Sequence, residues 1–221
     1  MVNCWVILQL RPREINMGKR GAAALAIVAI FLPTASRADD KPVVEQGFTS
    51  LFNGVDLDGW HIMNKGQFSV RKGVIYLNKG GGWLRTDKQY KDFELRLEFR
   101  FIDKGADSGI FVRAGLEGDN WPKKNYQVQT MDNDTICSVF AKMLDKGKEA
   151  KDKAKLKKVM KPTGEWQSYA IVFKGKTAEV KLNSATINSV DGLTDEAGYI
   201  GLQGEGGQLE FKNIRIKELK E

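Results

Sequence analysis

From residue 47 onward, apolar and polar positions alternate with a period of two, the signature of strands with one buried side. The run is cleanest where Phe93, Leu95, Leu97, Phe99 and Phe101 are interleaved with Glu94, Arg96, Glu98 and Arg100. Successive strand side chains point to opposite faces, so the apolar set meets a core and the charged set meets water or ligand. The same pattern predicts strands over 67–70, 74–78, 83–86, 109–113, 126–131, 167–174, 178–182, 199–203 and 209–216. Turn formers punctuate them at Asn53-Gly54, Asp58-Gly59, Lys72-Gly73, 79–82, Lys174-Gly175 and 205–207. Short strands with Gly-rich turns and little helical period predict an all-β fold, an antiparallel two-sheet jelly-roll sandwich. No repeat of roughly 20–50 residues recurs, which argues against a propeller or solenoid.

One segment breaks the pattern. Residues 139–161 are rich in Ala, Lys and Leu and poor in β-branched residues over most of their length, which predicts a helix or excursion inserted between sandwich strands. Within it, 142–161 hold nine Lys against Asp145, Glu149 and Asp152. No aromatic interleaves those lysines for base stacking, so the chain is not read as a nucleic-acid binder, and a solvated surface is expected.

The N-terminus reads as an export signal. Lys19 and Arg20 precede an apolar run from Ala22 to Leu32, and small residues lead to Ser36-Arg37-Ala38. We expect cleavage after Ala38, translation starting at Met17, a linker over 39–46 and one domain over 47–221, secreted or periplasmic. The apolar run falls short of the ~20 residues that span a bilayer, and nothing later approaches that length. The whole chain has 35 basic and 28 acidic residues, and residues 1–38 take five basic and one acidic with them, leaving a modest excess of three positive charges. Cys4 leaves too, so Cys137 stands alone without an intramolecular disulfide, expected as a buried, inert thiol. One Cys and one His cannot build a Cys/His zinc site, while an all-oxygen site stays open.

Six stretches resemble, in order, the secreted 3-keto-disaccharide hydrolase domain family: SLFNGVDLDGW (50–60), WLRTDKQYKDFELRLEFRF (83–101), DSGIFVRAG (107–115), YQVQTMDN (126–133), GEWQSYAIVFKG (164–175) and GYIGLQGEGGQLEFKNIRIKEL (198–219). The resemblance implies a concanavalin-like jelly roll acting on glycosides whose C3 hydroxyl has become a ketone. A C3 carbonyl acidifies the C2 proton, so the C1 substituent can leave by elimination before water adds. That route needs a base near C2, a donor to the enolate oxygen and an acid or metal at the leaving oxygen. The chain departs from the family pattern at Gln127, where Glu is common, and at Asp107, where Asn is common.

Strand parity places Phe111 and Arg113 on one face with Gln127 and Gln129, a set suited to reading sugar hydroxyls. Arg113 is the expected charge stabiliser, with Glu205, Asp107 or Asp132 as the proton-transfer carboxylate. Asp132 is a candidate for sugar hydroxyls or for a cation such as Ca²⁺, set against a plain turn role. Trp83, after Gly80-Gly81-Gly82, is the best candidate for a sugar platform among tryptophans otherwise suited to sheet cores. His61 is included as a substrate contact, although a structural strand role fits it better. Two further readings compete with an enzyme: a non-catalytic carbohydrate-binding module, favoured by Gln127, and an adhesion module working through 142–161.

Overall fold

The computed structural model describes residues 45–141 and 151–220. In chain order these form β1 (Thr49–Ser50), β2 (Trp60–Met63), β3 (Phe68–Arg71), β4 (Val74–Leu77), β5 (Trp83–Tyr90), β6 (Phe93–Phe101), β7 (Asp107–Ala114), β8 (Tyr126–Met131) and β9 (Val139–Ala141). The helix α1 (Lys153–Val159) follows, then β10 (Gln167–Lys174), β11 (Thr177–Leu182), β12 (Ala185–Val190), β13 (Gly198–Gln203) and β14 (Leu209–Glu218). The larger sheet runs β12-β11-β10-β6-β14-β4-β3, with β1 also paired to β14, and the smaller runs β2-β5-β13-β7-β8-β9. Neighbours are antiparallel, as in β10 with β6 and β7 with β8. The sandwich expected from the alternation is the fold observed.

Its core is the meeting of two apolar faces. Leu95, Leu97, Phe99, Tyr169, Ile171, Phe173, Phe211 and Ile214 come from the larger sheet, and Leu84, Ile110, Val112, Val128, Ile200 and Leu202 from the smaller. Aromatic pairs knit the centre, with Phe93 stacked on Phe173 at 5.7 Å and Tyr169 4.6 Å from Phe99 between ring centroids. Cys137 is fully buried there, and desolvation pushes its thiol up to about 12, the inert state expected of it. Of the tryptophans expected in cores, Trp60 is buried but Trp166 is not. Its ring is flanked instead by Arg100 and Lys212, both side chains of the larger sheet's outer face.

Strands β1, β2, β9 and β12 escaped the sequence pattern because they are short or carry polar residues inward. In β12, Asn188 is buried and donates to the Cys137 carbonyl at 2.8 Å. The expected insertion therefore starts later than residue 139: Val139 is buried opposite Val128, and β9 is an edge strand. The helical part is real but not merely solvated. Asp152 caps α1 by accepting from the Lys155 amide at 2.8 Å, and Leu156 is 3% exposed within the core cluster. Leu156→Ala should cost roughly 2–3 kcal/mol, read from urea unfolding midpoints, whereas a free surface excursion would show no change.

Residues 1–44 and 142–150, which carry the expected signal, its cleavage point and most of the linker, lie outside the described residues. The last linker positions are described, and Glu45 is clamped by ion pairs to Arg96 at 2.8 Å and Arg215 at 3.2 Å. Among the described residues no helix is long and apolar enough to cross a membrane.

Candidate active site

The outer face of the smaller sheet brings together most of the residues singled out by parity. Gln127 on β8 donates through Nε2 to Gln129 Oε1 at 2.6 Å and to Gln203 Oε1 on β13 at 3.0 Å. Strand β7 lies between β8 and β13, so Gln127 has to cross it. It crosses above Gly109, where a Cβ would stand 2.7 Å from the Gln127 side chain. Gln129 in turn donates to Asp107 Oδ1 at 2.7 Å, completing a row of amides that ends on a carboxylate.

A second carboxyl joins the row from the β13–β14 turn. Asp107 and Gly206 form a two-bond backbone bridge, with N to O distances of 2.6 and 3.0 Å, and this seats Glu205 beside Asp107. Burial raises both carboxyls above their ordinary range. For Glu205 the charge of Asp107 adds to the rise, whereas for Asp107 the Gln129 amide and the Ser108 backbone oppose it. The anion is therefore better supported on Asp107 and the proton on Glu205.

Arg113 does not join them, which corrects the parity argument. Opposite β13 the register slips between Tyr199 and Gly201, so Val112 and Arg113 together oppose Ile200. One extra residue in a strand reverses the faces beyond it. Arg113 has φ +48°, and its side chain turns into the sandwich, 1% exposed. There it donates to the carbonyls of Lys91 at 2.9 Å, Gly175 at 2.9 Å and Thr194 at 2.5 Å, and to Asp92 Oδ1 at 3.0 Å. It is a clasp between loops, not a surface cation.

Phe111 keeps its predicted face and Trp83 shares it, but neither is an open platform. Their rings meet edge to face with centroids 5.8 Å apart, and Trp83 lies so close over Gly201 that a Cβ there would be 2.4 Å from the indole. Met63, Trp121 and Tyr199 pack around the pair, leaving Trp83 and Phe111 buried. They form an apolar floor under the face. Trp121 and Tyr199 are the half-buried aromatics above it, and the Trp121 indole donates to the Gly204 carbonyl at 3.0 Å beside Glu205.

The arginine that does stand on this face is Arg85, which the sequence reading passed over although it shares parity with Trp83. Its guanidinium lies 4.7 Å from the Tyr199 ring centroid and donates to the Thr86 carbonyl at 2.9 Å. Arg85 Nε and Trp83 Nε1 are buried donors without a hydrogen-bond partner among the described residues. Gln203 was also missed as a site residue, although the 199–203 strand that holds it was found.

The remaining candidates sit apart from the amide row. His61, on the edge strand β2, is in register with Arg85 on β5, and its Nε2 contacts the Asp87 carboxylate, half exposed. Asp132 accepts from the Gly105 amide at 3.0 Å and the Thr163 hydroxyl at 2.7 Å, so it ties loops at the end of the sandwich. It stands at the rim of a 690 Å³ groove with Lys104, Lys157 and Met160. Among the described residues no three His, Cys, Asp or Glu side chains converge as a metal cage.

A family model for the 3-keto-alpha-glucoside-1,2-lyase-like domain matches residues 47–217. The chain belongs to that family. Within the family's reach lies a Bacteroides thetaiotaomicron protein named 3-keto-disaccharide hydrolase, 27% identical over 240 residues and covering 80% of each chain. Among solved structures, a Parabacteroides distasonis protein provisionally named a glycosyl hydrolase superposes with a TM-score of 0.63 at 21% identity, over 81% of this chain and 99% of its own. A Bacillus subtilis carbohydrate binding module superposes at 0.51 with 13% identity, over 71% of this chain and 94% of its own. Such identities speak for the shared sandwich of this lyase-like domain, the jelly roll expected from its strands.

Proposed function

We propose that this protein is an exported enzyme that cleaves the glycosidic bond of 3-keto-glycosides, with Asp107 and Glu205 as its proton-transfer pair. The observation that carries the reading is the arrangement of two neighbouring carboxyls, both raised by burial, at the head of the Gln127-Gln129-Gln203 row. Two carboxyls with different support divide the roles. Asp107, stabilised as an anion by Gln129, removes the C2 proton, and the electron pair moves toward the C3 oxygen as an enolate. Collapse of the enolate expels the C1 oxygen, which takes the proton of Glu205 and leaves a C1=C2 double bond conjugated to the C3 ketone; water then adds at C1, giving a proton back to Glu205, while Asp107 returns its proton to C2, so that a free 3-keto sugar is restored. Amide donors of the row and the Arg85 guanidinium hold the enolate oxygen and ring hydroxyls. The apolar floor of Trp83 and Phe111 keeps the region poorly solvated, which strengthens those charges. The name of the Bacteroides relative, 3-keto-disaccharide hydrolase, supports the substrate class. Release of sugar from a 3-keto-disaccharide by the purified protein tests it, and binding without release would leave a carbohydrate-binding module instead.

Gln127 stands where the family pattern has Glu, and its amide is committed as a donor to two oxygens. Glu supplies no N–H, so in Gln127→Glu the Gln129 amide has to turn and abandon Asp107. Turnover should then fall, by roughly tenfold for a loss of one charge-supporting bond. A sharp rise in kcat would instead make Glu the restored base and the natural chain an attenuated enzyme.

A further inference from the structure

We propose that Phe140 is an outer subsite that stacks on a ring carried by the leaving group, so that the site selects glycosides whose aglycone presents a flat apolar face. The proposal rests on the reading of Asp107 and Glu205 as the reacting carboxyls. Strand β9 is the edge of the smaller sheet, and Val139 fixes its orientation by packing inward opposite Val128. Phe140 is paired in register with Gln127 and therefore emerges on the same outer face as the amide row. It is 48% exposed, and every other Phe, Trp or Tyr among the described residues is more buried.

Position decides what it would touch. Asp107 is in register with Met131 and Phe140 with Gln127, so Phe140 stands two strands across and four residues along from the carboxyl end of the row. Four residues of strand amount to roughly 13 Å and two strand spacings to roughly 10 Å, so the two backbones stand about 16 Å apart. A single pyranose with C1 and C2 at the carboxyls does not span that distance. A second ring is needed to reach Phe140, and the leaving group is the one that the cleaved bond itself carries. The C–H face of a pyranose and the face of an aryl group share the chemistry an exposed phenyl ring accepts, while Gln127 beside it takes polar substituents.

Such a contact is made equally in the bound substrate and in the transition state, so it acts on KM rather than kcat. The test compares wild type with Phe140→Ala on three 3-keto-glucosides, carrying a methyl, a 4-nitrophenyl and a glucosyl leaving group. Phe140→Ala should raise KM roughly tenfold for the two ring-bearing compounds and leave the methyl glycoside unchanged. Phe140→Trp should restore the low values. An equal change for all three, or none, overturns the subsite. If the wild type cleaves none of them, the reaction reading fails separately, and affinities of the same compounds measured by calorimetry still decide. A loss confined to ring-bearing ligands in Phe140→Ala supports the subsite, and equal or absent binding overturns it.

Discussion

Arg113→Ala should destabilise the fold by about 3–5 kcal/mol, because it removes a buried cation and leaves its partners without one. The guanidinium spans the Lys91, Gly175 and Thr194 carbonyls and the Asp92 carboxylate, and Asp92 also accepts from the Gly175 amide at 2.8 Å. Three loops lose their common tie at once. Against a typical total of about 5–15 kcal/mol, that is a large share, so the variant should unfold at much lower urea and express poorly. Arg113→Lys should recover only part of it, since one ammonium cannot reach four acceptors in a fork. Wild-type stability with abolished turnover would reverse the assignment and return Arg113 to the site.

Asp107→Asn and Glu205→Gln should each lower kcat by roughly 10²–10⁴-fold on a 3-keto-disaccharide while the fold persists. Their pH behaviour separates the roles. Activity of the wild type should fall on the alkaline side as Glu205 loses its proton, and on the acid side as Asp107 gains one. Each variant should lose its own limb; a variant whose pH profile matched wild type would remove that residue from proton transfer. Stability runs in the opposite sense to function. Both carboxyls are raised in the folded state by burial, so the fold is most favoured where they are protonated and loses stability as pH rises through their raised values. Glu205→Gln should therefore melt at least as high as wild type at neutral pH, with any gain vanishing in acid. A drop in melting temperature at neutral pH would mean that the ionised carboxylate supports the fold.

Much of the candidate site was legible because strand parity is local. Gln127 and Gln129 alternate with Val128, whose place in the core fixes theirs on the outer face. The Asp107 strand and the Glu205 turn were found separately, but their meeting depends on a bridge between β7 and the β13–β14 turn. Arg113 was misplaced for the same reason that the others were right. Parity holds only while each residue opposes one partner, and the slip opposite Ile200 has no marker in DSGIFVRAG. Its enabling partner is Gly198, whose Cβ would stand 2.2 Å from the Arg113 carbonyl carbon, on a strand distant in sequence. Phe111 was assigned to the correct face and Trp83 was named as a platform, but burial on that face comes from Met63, Trp121 and Tyr199 packing over them.

By itself the sequence determined the class of fold, the faces of the strands that run without a bulge, the inert thiol and the family, since each follows from periodicity, residue chemistry or motifs read along the chain. Only the tertiary structure decided which arginine faces the site, that Glu205 and Asp107 are neighbours, that Leu156 belongs to the core and that Phe140 shares a face with Gln127. These depend on register and bulges between strands far apart in the chain, where a shift of one residue turns a side chain from solvent to core.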